Sequence, residues 1–134
     1  MLWREKAPER GDIVRVKVTF YHHYGIFVSS DRVIQFGLPL DATRPAEHVR
    51  VLATDVYTFL NGGSIEVGCP DRFERKNMRC ADEIVALAEA RIGEGGYNIL
   101  ENNCEHFVNE CAFGQKTSSA VDDIRAMFRR KLGK

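Results

Sequence analysis

Val14, Val16 and Val18 alternate with Arg15, Lys17 and Thr19, the two-residue period of a strand with one buried face. Gly11-Asp12 supplies a turn ahead of it. His23 to Val28 and Arg32 to Phe36 are further short runs rich in β-branched and aromatic residues, with Ser29-Ser30-Asp31 between them. A three-stranded meander over 13–36 is therefore expected. Residues 37–46 hold a glycine, two prolines and an aspartate and read as loop. Short strands are expected at His48 to Ala53 and Ser64 to Cys69, with Asn61-Gly62-Gly63 as a turn before the second.

The period changes after residue 80. Ile84, Leu87, Ala88 and Ile92 recur at helical spacing, with Asp82 and Glu83 in the first turn and Gly93 as a stop, so a helix is expected over Ala81 to Ile92. A second is expected from Cys104 to Phe113, ended by Gly114. A third runs from Ala120 to Leu132, capped by Ser118 or Ser119. Strands first and helices after point to an α+β fold, a small antiparallel sheet packed against helices. At 134 residues the chain makes one domain.

Lys plus Arg number 19 and Asp plus Glu number 19, so the formal net charge is zero and no nucleic-acid partner is expected. The first residues hold no apolar run of signal-peptide length, and no stretch is long and apolar enough to span a bilayer. The expected location is the cytoplasm. None of the four cysteines, Cys69, Cys80, Cys104 and Cys111, forms a CxxC pair, so a zinc ribbon or knuckle is not expected. No metal and no cofactor are expected. Cys104 and Cys111, two turns apart on one helix, sit about 10 Å apart. A disulfide needs Cα atoms within about 7 Å, so free thiols are expected.

Candidate chemistry gathers at Asn102-Asn103-Cys104-Glu105-His106-Phe107. Asn103 is a good N-cap, which puts Cys104 on the first helical turn, where partial positive charge and unpaired N–H groups favour a thiolate. A small apolar residue packing inward is the other reading of that cysteine. A nucleophile also needs a base. His106 points around the helix away from Cys104, and His48 follows a loop, which suits a surface role. His22 and His23 remain, and geometry favours His23. With Ser29 to Asp31 as a three-residue loop, Val28 pairs with Arg32 and Gln35 becomes the diagonal neighbour of His23 on one face. Gly25, on that same face, leaves space for a helix end or a substrate, while Tyr24, Ile26 and Val28 face the core. The Gln35 carbonyl oxygen could accept the second imidazole N–H and fix the tautomer, or the amide could bond neighbouring backbone. Tyr97 either lines the cleft or is a core aromatic after a Gly-Gly turn.

His23-Tyr24-Gly25-Ile26-Phe27-Val28, Val33-Ile34-Gln35-Phe36, Tyr97-Asn98-Ile99-Leu100 and the run Asn102 to Glu110 together resemble the lecithin:retinol acyltransferase (LRAT) domain. The match extends from about Gly11 to Gly114. The resemblance implies a circularly permuted papain-like fold akin to NlpC-type hydrolases, with the cysteine helix packed on the sheet that carries the histidine. It implies Cys104 as the nucleophile that forms a thioester with an acyl group, and His23 as base. Vertebrate members carry a second histidine where this sequence has Gln35, and they commonly end in a hydrophobic anchor, of which this sequence shows none.

Three functions are consistent with these residues. One is acyl transfer or lipolysis on a phospholipid donor, starting from a His23–Cys104 ion pair with helix N–H groups holding the oxyanion. The second is a cytosolic thiol peptidase or amidase of the same fold. The third is a non-catalytic binding module. The stripe Val121, Ile124, Met127, Phe128 and Leu132, rimmed by Arg125, Arg129, Arg130 and Lys131, either packs on the core or makes peripheral contact with an anionic membrane.

Overall fold

The computed structural model describes residues 1–19, 21–39, 45–98 and 103–114. Along the chain run β1 (Leu2–Arg4), β2 (Ile13–Val18), β3 (Tyr21–Ser29), β4 (Arg32–Phe36), β5 (Val51–Thr54), α1 (Val56–Leu60), β6 (Ile65–Cys69), α2 (Arg72–Asn77), α3 (Ala81–Ala90) and α4 (Cys104–Phe113). The expected helix from Ala120 to Leu132 lies outside the described residues. The architecture is α+β: one antiparallel sheet of six strands in the order β1-β6-β2-β3-β4-β5.

Both faces of the sheet are covered. Tyr24, Ile26, Ile34 and Phe36 face α3 and α4 and pack with Ile84, Ala88, Phe107 and Val108. Val14, Val16, Phe27, Val33 and Val67 lie on the opposite face, where Phe59 of α1 closes a second apolar cluster. The alternating valines of β2 therefore face α1, away from the long helices. The centres of β3 and β4 are buried on both sides, which is why those two segments read as continuous apolar runs.

The β3–β4 hairpin keeps its expected register by a different route. Ser29 pairs with Arg32 across a tight Ser30-Asp31 loop, one residue shorter than expected. A bulge then leaves Val28 unpaired, and Phe27 meets Val33 and Gly25 meets Gln35. The extra residue in the strand makes up for the missing residue in the loop, so the pairing around His23 is that of a three-residue loop.

Other boundaries moved. Ala46–His48 forms a 3-10 turn, not the start of a strand, and β5 begins at Val51. Helix α3 stops at Ala90. The sequence pattern did not reveal β1, α1 or α2. Strand β1 is three residues long and exists by pairing with β6, which lies more than 60 residues away. Val56–Leu60 carries strand-like side chains, and it is helical because Asp55 caps it and Asn61 ends it in the left-handed region at φ 46°. Helix α2 opens on an Asp71–Glu74 capping box, a signature present in the sequence.

Candidate active site

Asn103 is the N-cap of α4, as its residue type suggested. Its side chain accepts the N–H groups of Glu105 and His106, each at 3.0 Å. His106 answers by accepting the Asn103 N–H on Nδ1 at 3.0 Å. The histidine of the Cys-Glu-His run is thus the far half of a capping box, with imidazole in the place of the usual Glu or Gln. Gly114 ends the helix with φ 75°, in the left-handed region that glycine adopts without strain. This frame fixes Cys104 at the first helical position, 6% exposed and pressed toward β3.

Burial pushes the Cys104 thiol up to about 11, against the pull of the backbone N–H groups of Tyr24, Cys104 itself and Glu105. The expected resting thiolate is therefore disfavoured: loss of water outweighs the helix terminus. The contact with Tyr24 locates the sulfur. Strand β3 pairs with β4 only from Gly25 onward, and Tyr24 immediately precedes that point. Cys104 thus lies against the stretch of β3 that also carries His23.

His23 is 2% exposed, not a solvent-facing strand end. Its ring packs on Phe59, centroids 5.4 Å apart, and its Nε2 lies 3.0 Å from Gln35 Oε1. The orientation of the amide follows from its other neighbours. Gln35 Nε2 faces the Val33 carbonyl at 3.4 Å and Thr54 Oγ1 at 2.8 Å. A carbonyl oxygen can only accept, so that end of the amide is NH2 and the oxygen faces the imidazole. Gln35 Oε1 in turn can only accept, so Nε2 of His23 carries the proton and the lone pair of the neutral ring lies on Nδ1.

The remaining expected residues fall elsewhere. The space beside Gly25 is filled: a Cβ there would stand 2.8 Å from Val33 Cγ1 and 2.9 Å from Phe59 Cε1. Gly25 makes room for α1 packing, not for a substrate. Tyr97 is half-buried and meets Phe36 edge-on at 5.2 Å, at the rim of the main core. His48 is exposed. The four cysteines are free thiols.

A cluster on the Tyr24 side of the cysteine was not foreseen from the sequence. Arg15 stacks on Trp3 at 4.2 Å and binds Glu66 at 2.9 Å, and Trp3 meets Tyr24 edge-on at 5.7 Å. Burial, then the charge of Glu105, raise the Tyr24 hydroxyl to about 12. Burial and the Arg15 cation hold the His22 imidazole below its usual value. Arg15 facing Tyr24 across β2 and β3 was deducible from the strand pattern, but the arrival of Trp3 was not.

A thiol on the first turn of a buried helix, beside a strand that presents a tautomer-fixed imidazole, is the arrangement the motif resemblance implied. Residues 6–117 match the family model described as lecithin retinol acyltransferase. The chain belongs to this family. It is 32% identical over 133 residues to lecithin retinol acyltransferase of Rattus norvegicus, with 84% of this chain and 58% of that protein covered. The Bos taurus protein of the same name is 33% identical over the same shares. Phospholipase A and acyltransferase 3 of Homo sapiens is 29% identical over 127 residues, 87% of this chain and 78% of that protein. The chain thus spans a little over half the length of the lecithin retinol acyltransferases it matches. Among the described residues no helix is long and apolar enough to cross a membrane, and no three His, Cys, Asp or Glu side chains gather as a metal site.

Proposed function

We propose that this protein is a thiol acyltransferase or phospholipase, taking an acyl chain from a phospholipid through a thioester on Cys104. The observation that carries this reading is the buried Cys104 thiol at the backbone of Tyr24, the chain neighbour of His23, whose Nε2 is occupied by Gln35 Oε1. The names of the relatives, acyltransferases and phospholipases, supply the substrate class.

The cycle starts from neutral thiol and neutral imidazole. As the sulfur attacks the ester carbonyl, His23 takes the thiol proton on Nδ1, so charge develops only as the tetrahedral adduct forms, as an imidazolium and an oxyanion. Glu105 and His106 give their N–H groups to Asn103. The Cys104 and Tyr24 N–H groups, which point at the thiol, are therefore the best oxyanion donors. The tetrahedral adduct collapses, the C–O bond breaks, and His23 protonates the departing alkoxide of the lysophospholipid. An incoming hydroxyl, amine or water then loses its proton to His23 and attacks the thioester. Cys104 leaves and takes the proton back. The segment Ala120 to Leu132, with its apolar stripe and basic rim, would hold the enzyme at an anionic surface.

Incubation with mixed phospholipid vesicles that include an anionic lipid tests both parts. Intact mass should show an acyl-sized increase that maps to Cys104, and the protein should sediment with the vesicles less as salt rises. Cys104→Ala should fold and lose adduct and turnover together. Normal turnover by folded Cys104→Ala would end this reading.

A further inference from the structure

We infer that Thr54 is a positioning residue for the catalytic base, a link in a directional hydrogen-bond relay that fixes the His23 tautomer. The inference rests on the proposed role of His23. Thr54 is half-buried at the end of β5, opposite Val33 and therefore diagonal to Gln35. Its hydroxyl has one proton, which it donates to the Asp55 carbonyl at 2.9 Å. Oγ1 can then only accept from Gln35, and it does so from Nε2 at 2.8 Å. That bond holds the NH2 end of Gln35 away from the imidazole and leaves Oε1 facing His23 at 3.0 Å.

Each link sets the sense of the next: Asp55 carbonyl, Thr54 hydroxyl, Gln35 amide, His23 Nε2–H. The relay is anchored on a rigid point, because the Asp55 side chain caps α1 by accepting the Thr58 N–H at 2.7 Å. The same helix supplies Phe59 against the imidazole face. A glutamine needs such a link more than an acid would. A carboxylate offers an acceptor at either end, whereas an amide turned by 180° would present NH2 to the ring and require the opposite tautomer. The Val33 carbonyl also favours the observed orientation, but at 3.4 Å it is a long contact.

Thr54→Val keeps the shape and β-propensity and removes only the hydroxyl, whereas Thr54→Ser keeps the hydroxyl. Imidazole 15N spectra of the full chain read the tautomer without substrate. Wild type and Thr54→Ser should show His23 protonated on Nε2, and Thr54→Val should show a mixture of tautomers. On phospholipid vesicles, Thr54→Val should lower kcat about five- to ten-fold, the worth of one net hydrogen bond, with KM unchanged and Thr54→Ser near wild type. Equal thermal midpoints for the variants separate this from a folding defect. If Val proves poorly folded, Thr54→Ala against Thr54→Ser gives the same contrast. A single Nε2–H tautomer together with wild-type kcat in folded Thr54→Val overturns the inference. Undiminished turnover by Cys104→Ala would overturn the proposed function instead, and the tautomer spectra would still decide the role of Thr54.

Discussion

As the proposed nucleophile, Cys104 meets two opposing demands: it is buried, out of reach of competing water, and in the proposed cycle it must still lose a proton. Burial wins in the resting protein, raising Cys104 to about 11, and burial raises Cys111 to about 11 as well. This has a consequence for stability. Well below pH 9 both thiols are protonated in the folded and unfolded chain, and they add no pH dependence. Between about 9 and 11 the unfolded chain releases its protons first, so the folded state binds more protons and stability falls as pH rises. Every tenfold difference in proton affinity between the folded and unfolded chain is worth about 1.4 kcal/mol per thiol. Urea midpoints should stay level up to pH 8 and drop from pH 9 to 11, and Cys111→Ala should remove part of that drop. A level alkaline limb in wild type would mean that these thiols are hydrated in solution.

At the scale of the element, α4 is held at both ends by side chains specific to it. The Asn103–His106 capping box fixes the N-terminus and therefore the direction of the thiol. Near the C-terminus, Arg79 Nη1 donates to the Glu110 and Cys111 carbonyls at 2.7 and 3.0 Å. Arg91 ties the turn after α3 to α4 by binding Glu110 at 2.8 Å while its guanidinium lies 5.0 Å from the Phe107 centroid. A cap of this kind is worth about 1 kcal/mol. Asn103→Ala should therefore lower the thermal midpoint by a few degrees, and it should cost more in acyl-adduct rate than that stability loss explains. Asn103→Asp, which keeps the acceptor, should recover most of the stability. An adduct rate in Asn103→Ala equal to wild type would show that the cap serves the helix alone.

At the scale of the whole molecule, one sheet serves two cores, and the proposed base and nucleophile approach β3 from different sides of that division. The thiol belongs to the core under α3 and α4, and the His23 ring packs with Phe59 of α1 on the other. At Gly25 the Phe59 ring of α1 packs directly on the sheet. Gly25→Ala should overpack this contact and cost about 1–3 kcal/mol in chemical denaturation. Combining it with Phe59→Leu should recover part of the loss, because the clash is shared between that ring and Val33. Were Gly25 instead a wall of the substrate cleft, Gly25→Ala would raise KM and leave stability untouched.

Local chemistry determined much of this molecule from the sequence. The period-two run set β2, the short runs rich in β-branched and aromatic residues set β3 and β4, and Asn103 with Gly114 set both ends of α4, since caps and strand patterns act over a few residues. The Asn-Cys-Glu-His-Phe run together with the His23 strand identified the family. The α+β class followed from the order of strands and helices. Other features depended on residues far apart in the chain. The bulge at Val28 kept the register when the loop proved shorter. Phe59, not substrate, took the space at Gly25, because a five-residue helix with strand-like side chains folded over the sheet. The protonation of Cys104 reversed because desolvation is the sum of everything packed around a group, and no window of sequence contains that sum. Thr54 entered the site for the same reason: β5 is the neighbour of β4 only in the assembled sheet.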